Sequence, residues 1–280
     1  MIIAIQGDRG SNHHVMSEKL FGENHTLYCA KTFADVFYAV ESDQADAGII
    51  AVENSIAGAI LQNLDLLSKN DLIVVGEGYL RIEHCLIGLP GAKLKDITSA
   101  YSHEMALKQC MEFLEKNAIE SREYHDTAAA VPHVKSLGDP RIGAIAPVAA
   151  AKLYGMEVLS QGIETNKVNF TRFIVLSKKN RKNDIQSQLH YDSTQTKAMI
   201  QFETNHEPGA LAKALTLLAA AGFNLTRIES RPLIGKAWRY IFYCDFDCEF
   251  SEEIVQERLH LFEHELRNLR IFGVFSEGQP

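Results

Sequence analysis

Over its first 180 residues the chain alternates short apolar strands with helical stretches, and this alternation constrains the fold more than any other feature. Ile2–Gln6 reads as a strand and Ser11–Phe21 as a helix. The run Ala47–Val52 is a strand, followed by Glu53-Asn54-Ser55 and a helical stretch from Ile60 to Ser68. Leu72–Gly76, His84–Leu89 and Ile142–Ala146 are further strands, and Glu104–Lys116 and Ala128–Ser136 carry the periodicity of amphipathic helices. Such alternation predicts an α/β fold with largely parallel sheets, whose ligands sit at the carboxyl ends of strands.

The pattern breaks between Lys178 and Thr196, a polar stretch that reads as an inter-domain linker. After it comes a new order. Ala198–Glu203 is a strand and Gly209–Ala221 a helix stopped by Gly222. Leu225–Ser230 and Trp238–Asp247 are strands, Glu252–Leu266 is a helix, and Ile271–Phe275 is a last strand. The order βαββαβ predicts a ferredoxin-like unit. A chain of 280 residues has room for more than one core, which agrees with this division.

One strand stands out chemically. Val168–Leu176 is apolar except for Asn169, Thr171 and Arg172. Side chains alternate along a strand, so Asn169 and Thr171 share a face. Buried polar groups are costly unless paired. These two either line a polar cavity or bond to nearby backbone.

The net charge of −8 and the lack of a basic stripe argue against nucleic acid as a partner. An anionic ligand would have to be held by local cations and backbone N–H groups. No run approaches the roughly 20 apolar residues of a membrane span, and the short opening strand lacks a basic leader. A cytoplasmic location is expected. The five scattered cysteines, Cys29, Cys85, Cys110, Cys244 and Cys248, fit reduced thiols. In a strand Cys244 and Cys248 would stand about 13 Å apart, too far to share an ion. Neither a metal nor a cofactor is expected.

Asn169-Phe170-Thr171-Arg172-Phe173 resembles the motif that closes the catalytic domain of prephenate dehydratases. Ala51-Val52-Glu53-Asn54-Ser55-Ile56-Ala57-Gly58 resembles their Glu-Asn-Ser segment. Tyr101-Ser102-His103, ending in Gln109-Cys110, resembles their Ser-His segment, and Asp126-Thr127-Ala128-Ala129 their Ser-Thr-Ala segment with Asp in place of Ser. In the opening segment Gly7 and Gly10 survive, but Asn12 and His13 stand where the family has an aromatic and a Ser or Thr. The C-terminal unit resembles a phenylalanine-sensing ACT domain through Pro208-Gly209-Ala210-Leu211, Ile228-Glu229-Ser230-Arg231-Pro232 and Trp238-Arg239-Tyr240-Ile241-Phe242. The resemblance implies two α/β lobes like a type II periplasmic binding protein, lobe one about 1–76 and 161–180 and lobe two about 77–160. A linker at 181–196 and an ACT domain at 197–275 would follow.

The implied activity is decarboxylative dehydration of prephenate to phenylpyruvate. Such a reaction needs an anion cradle and a proton donor at the departing oxygen, and no general base. Thr171 would donate, with Asn169, Asn54, Ser55, Gln109 and Thr127 as pocket residues. Helix starts at Gly10-Ser11, Ser102-His103 and Asp126-Thr127 would cradle carboxylates. Glu53 either assists the proton or makes a hinge or cap contact. His103 either assists or is a buried, satisfied imidazole, and Arg172 is either a further cation or structural. Phenylalanine would bind Glu207, Pro208, Gly209, Ala210, Leu211, Asn224 and Leu225 and inhibit, in a homodimer or homotetramer. Arogenate dehydration and a non-catalytic aromatic-acid sensor are the alternative readings.

Overall fold

A computed structural model describes residues 1–190, 196–233 and 235–278. Three sheets organise them. In the first, strands lie in the order Thr26–Ala30, Ile2–Gln6, Ala47–Asn54, Phe170–Ser177, Ile73–Arg81, with the short Gly58–Ala59 strand beside Ala47–Asn54. The second runs Glu157–Gln161, Cys85–Gly88, Ile142–Ala146, Ser99–Ser102, Glu120–Glu123. The third runs Asn224–Pro232, Tyr240–Cys248, Thr196–Glu203, Arg267–Ser276. Its two helices, Ala210–Ala220 and Glu252–His260, complete the βαββαβ order.

The first two sheets are mixed, not largely parallel. Phe170–Ser177 runs antiparallel to both of its neighbours, and Cys85–Gly88 does so in the second sheet. The cause is the chain path. The strand Ile73–Arg81 stays whole in the first sheet, past the boundary at 76, before the chain crosses into the second lobe. It then returns through residues 162–169 to enter the first sheet from the opposite end. The two crossings lie side by side, tied by the Ile82 N–H to the Asn169 carbonyl at 2.7 Å.

Each lobe has its own apolar core. Ile3, Ile5, Met16, Ile49 and Phe173 fill one side of the first sheet, and Cys85, Ile87, Val131 and Ala144 one side of the second. The C-terminal domain does not stand apart. Met199, Tyr243, Phe272 and Phe275 from its sheet share one core cluster with Leu64, Leu67, Val74 and Ile174 of the first lobe. Gly273 permits that approach, because a Cβ there would overlap the Val74 carbonyl oxygen.

Several elements differ from expectation. The helix expected over 104–116 breaks at Cys110, whose ψ of 11° leaves the helical range while its side chain is buried beside Leu107 and Leu114. The helix from Glu252 stops at His260, and the strand expected from Trp238 starts at Tyr240, because Trp238 takes a turn conformation at φ 60°. Within the expected linker 181–196, Lys182–Gln186 is helical. Ile185 and Leu189, four residues apart, seat that segment on the first-lobe core. Residues 191–195 of the linker lie outside the described part. The strand Thr26–Ala30 and the helix Phe33–Glu41 are further elements beyond those expected from the sequence. The helix had a legible start, since Thr32 and Asp35 form a reciprocal capping box.

Candidate active site

A cleft of about 770 Å³ opens between the two lobes. Its walls come from segments far apart in sequence: Ser11, Asn12 and His13; Thr32 and Phe33; Asn54; His84; His103 and Gln109; Asp126 and Thr127; Thr171 and Phe173. Helices starting after Ser11, Thr32 and His103 each contribute first-turn residues to its lining, and the first N–H groups of a helix lack partners within the helix. Among the lining residues Lys31 is the one Lys or Arg. An anion here is therefore held mostly by neutral donors.

Thr171 sits in the first-lobe wall in register with Asn54 on the adjacent strand. The Asn54 carbonyl oxygen Oδ1 accepts two backbone N–H groups, from Ile56 at 3.0 Å and Ala57 at 2.9 Å. Its other amide atom is thereby fixed as nitrogen. Nδ2 donates to Asn169 Oδ1 at 2.8 Å and to Thr171 Oγ1 at 3.0 Å. Thr171 is thus an acceptor on the protein side, which leaves its own O–H free to point into the cleft. Asn169 is wholly buried behind this wall and donates through Nδ2 to Gln109 Oε1 at 3.1 Å. The contact joins the lobes, because Gln109 ends the second-lobe helix Glu104–Gln109.

Other expected site residues lie elsewhere. Glu53 pairs in register with Arg172, on the face of the sheet opposite Asn54 and Thr171. Its carboxylate lies 3.3 Å from Arg227 of the C-terminal domain, away from the cleft. Strand alternation dictates this. Ser55 also leaves the cleft: its hydroxyl donates to the Val168 carbonyl and accepts from the Phe170 N–H, at 3.1 and 2.9 Å. Ser102 is fully buried and donates to the Ile145 carbonyl at 2.7 Å, joining two strands of the second sheet. The helix start expected there is capped by His103, whose Nδ1 accepts the Met105 N–H at 3.2 Å. Thr127 does line the cleft. Next to it, Asp126 Oδ1 is taken up by the Ala128 and Ala129 N–H groups, both at 2.9 Å. Arg172 is structural, buried between Glu77 and Asp245.

His13 is 9% exposed, its ring tilted against Phe33 and perpendicular to Phe173, with centroids 5.6 and 5.0 Å away. Burial pushes its pKa down to about 4, so the ring is neutral at pH 7. Burial also lowers that of His84, a cleft residue that the sequence pattern marks only as the start of a strand.

In the C-terminal domain Glu207, Pro208 and Gly209 are exposed at the start of the Ala210–Ala220 helix, with Gly209 at φ 82°. Ala210 and Leu211 open that helix and are half-buried. Asn224 and Leu225 begin the edge strand at its far end. The helix's eleven residues put Gly209 and Asn224 roughly 16 Å apart along its axis. One copy of the domain does not bring the two groups together.

The family model of prephenate dehydratase matches residues 3–181, which hold the cleft and every group in its wall described above. This chain belongs to the prephenate dehydratase family. It is a carbon–oxygen lyase of that family carrying an ACT domain, whose model matches residues 198–260. Arogenate dehydratase/prephenate dehydratase 1 of Arabidopsis thaliana is 33% identical over 287 residues, covering 98% of this chain and 71% of the relative. Among solved structures, GqqA, described as a novel type of quorum quenching acylase, superposes with a TM-score of 0.86 at 30% identity, over 100% of this chain and 99% of that one. The prephenate dehydratase of Arthrobacter aurescens in complex with L-Phe superposes with a TM-score of 0.85 at 24% identity, over 99% and 90%. No helix among the described residues of this dehydratase is long and apolar enough to cross a membrane. No group of three or more His, Cys, Asp or Glu among them is arranged to hold a metal ion.

Proposed function

We propose that the inter-lobe cleft converts prephenate to phenylpyruvate, with Thr171 donating a hydrogen bond to the departing hydroxyl. The carrying observation is the fixed orientation of Asn54, which makes Thr171 Oγ1 an acceptor and frees its proton for the cleft. The ring carboxylate leaves as CO₂, and the electron pair of that C–C bond enters the ring. The C–O bond breaks at the same time, and the hydroxyl departs with its electron pair and takes up a proton. Aromatisation drives both cleavages, so the protein need only hold two carboxylates and stabilise the charge growing on one oxygen. The wall around Thr171 suits a dianion: Glu53 is on the reverse face, and the cleft's own carboxylate, Asp126, has Oδ1 held by the Ala128 and Ala129 N–H groups.

The acylase activity ascribed to GqqA would call for an activated nucleophile. Among the described residues Thr171 Oγ1 is bonded by the amide of Asn54, and no imidazole or carboxylate is hydrogen-bonded to it to take its proton. That favours the dehydratase reading over acyl transfer.

The same reading includes regulation in the cytoplasm by phenylalanine at the ACT domain. Gly209 and Asn224 lie at opposite ends of one helix, so a shared site for the amino acid forms between two copies, in a homodimer or a tetramer of such dimers. The effect would reach the cleft through the reverse face of its wall. There Arg172 and Glu53, next to Thr171 and Asn54, bind Asp245 and Arg227 of the ACT domain. A coupling of about 1–3 kcal/mol is enough. Incubating the purified protein with prephenate and with arogenate tests the function, reading phenylpyruvate and phenylalanine and repeating the assay with added phenylalanine. Turnover of neither substrate would refute it. Turnover of arogenate alone would transfer the reading to the amino-bearing substrate.

A further inference from the structure

We infer that His84 is a positioning residue for the dehydration: its Nε2–H locks the Gln109 amide so that Gln109 presents its NH₂ group to an anionic substrate. The inference rests on the dehydratase reading of the cleft and follows from hydrogen-bond accounting. The chain of amides has one fixed end, where two backbone N–H groups define Asn54 Oδ1. From there each direction is forced. Asn54 Nδ2 donates to Asn169 Oδ1, and Asn169 Nδ2 donates to Gln109 Oε1. His84 Nε2 lies 2.8 Å from that same Gln109 oxygen. Two groups that meet at an acceptor must both be donors, so His84 carries its proton on Nε2.

The rest of the ring agrees. His84 Nδ1 is buried without a hydrogen-bond partner, which suits a bare lone pair better than an N–H. The His84 backbone N–H is held by Glu164 Oε2 at 3.0 Å, so the ring's position is set from the main chain. Gln109 Oε1 then has both acceptor sites filled. Its NH₂ has no partner among the described residues, is not one of their buried unpartnered atoms and so is open to solvent, and belongs to a residue lining the cleft. Without the imidazole donor only Asn169 restrains the amide. A rotation would turn a carbonyl oxygen toward a carboxylate, which repels it.

The test uses the full-length protein with His84→Leu and His84→Gln. Leucine fills the buried space without a donor, and glutamine restores an N–H near the Nε2 position. His84→Leu should lower kcat/KM for prephenate by about tenfold or more, the scale of a small misplacement of a binding group. His84→Gln should return it to within about threefold of wild type, both variants melting near the wild-type temperature. In wild type, ¹⁵N NMR of the imidazole should show Nε2 protonated and Nδ1 bare at pH 7. Wild-type kcat/KM in the leucine variant, a loss that follows melting temperature and ignores the glutamine, or an Nδ1–H tautomer would each overturn the inference. A wild-type protein that turns over neither prephenate nor arogenate would instead overturn the reading of the cleft, while the NMR result would still stand on its own.

Discussion

Arg172 of the first lobe and Asp245 of the ACT domain form a buried ion pair one residue along the strand from Thr171. Both side chains are almost wholly shielded from solvent, and Glu77 binds the same guanidinium at 2.7 Å. The two carboxylates raise the Arg172 pKa against the opposing effect of burial. The strand that presents Thr171 to the cleft is therefore clamped from behind by the ACT domain.

Removing one member of such a cluster leaves charge stranded in the interior. Asp245→Ala should cost about 3–5 kcal/mol of unfolding free energy, measured by urea denaturation. A loss under about 1 kcal/mol would mean that water reaches Arg172 once the carboxylate is gone.

Thr171→Ala should lower kcat by about 10²–10³ while leaving the melting temperature close to wild type. Thr171→Ser keeps the hydroxyl and should retain more activity than the alanine variant. Near wild-type kcat in the alanine variant would remove Thr171 from the chemistry.

Acid sensitivity follows from His13. Its folded pKa, about 4, lies below the ordinary value of 6.5. Between those values the unfolded chain binds a proton that the folded chain does not. Stability is therefore full above pH 6.5 and falls as the pH drops toward 4, by at most about 3 kcal/mol. His25 and His84 are lowered as well and add in the same direction. His13→Leu should flatten the dependence of unfolding free energy on pH across this window. An unchanged slope would assign the effect to the other two imidazoles.

Phenylalanine inhibition should weaken when either half of the ACT site is altered. At Gly209 the left-handed backbone strains any L side chain, although no neighbouring atom lies within 4 Å of an added Cβ. Gly209→Val and Asn224→Ala should each raise the phenylalanine concentration for half-inhibition by about tenfold or more, as read by titrating the dehydratase assay. If neither variant shifts the curve, the effector binds elsewhere.

Much of this protein was written in local sequence. Strand–helix alternation before Lys178, the βαββαβ order after Thr196 and the capping pattern at Thr32 and Asp35 all arise from period, propensity and turn chemistry within a few residues. Asn169 and Thr171 on one face of one strand were legible for the same reason. What lay behind them was not. Glu53 and Asn54 are adjacent in a motif, yet the pleat sends one to the ACT domain and the other to Thr171, and only the neighbouring strands decide which face is the cleft. Ser102 looks like a cleft residue in sequence, but the pairing of its strand turns the hydroxyl onto Ile145. His84 joined the amide chain only when the lobes folded against each other and brought Gln109 to Asn169. Local sequence set which elements form, because their stability depends on near neighbours. The site depended on register and lobe packing, where hydrogen-bond partners stand up to 117 residues apart.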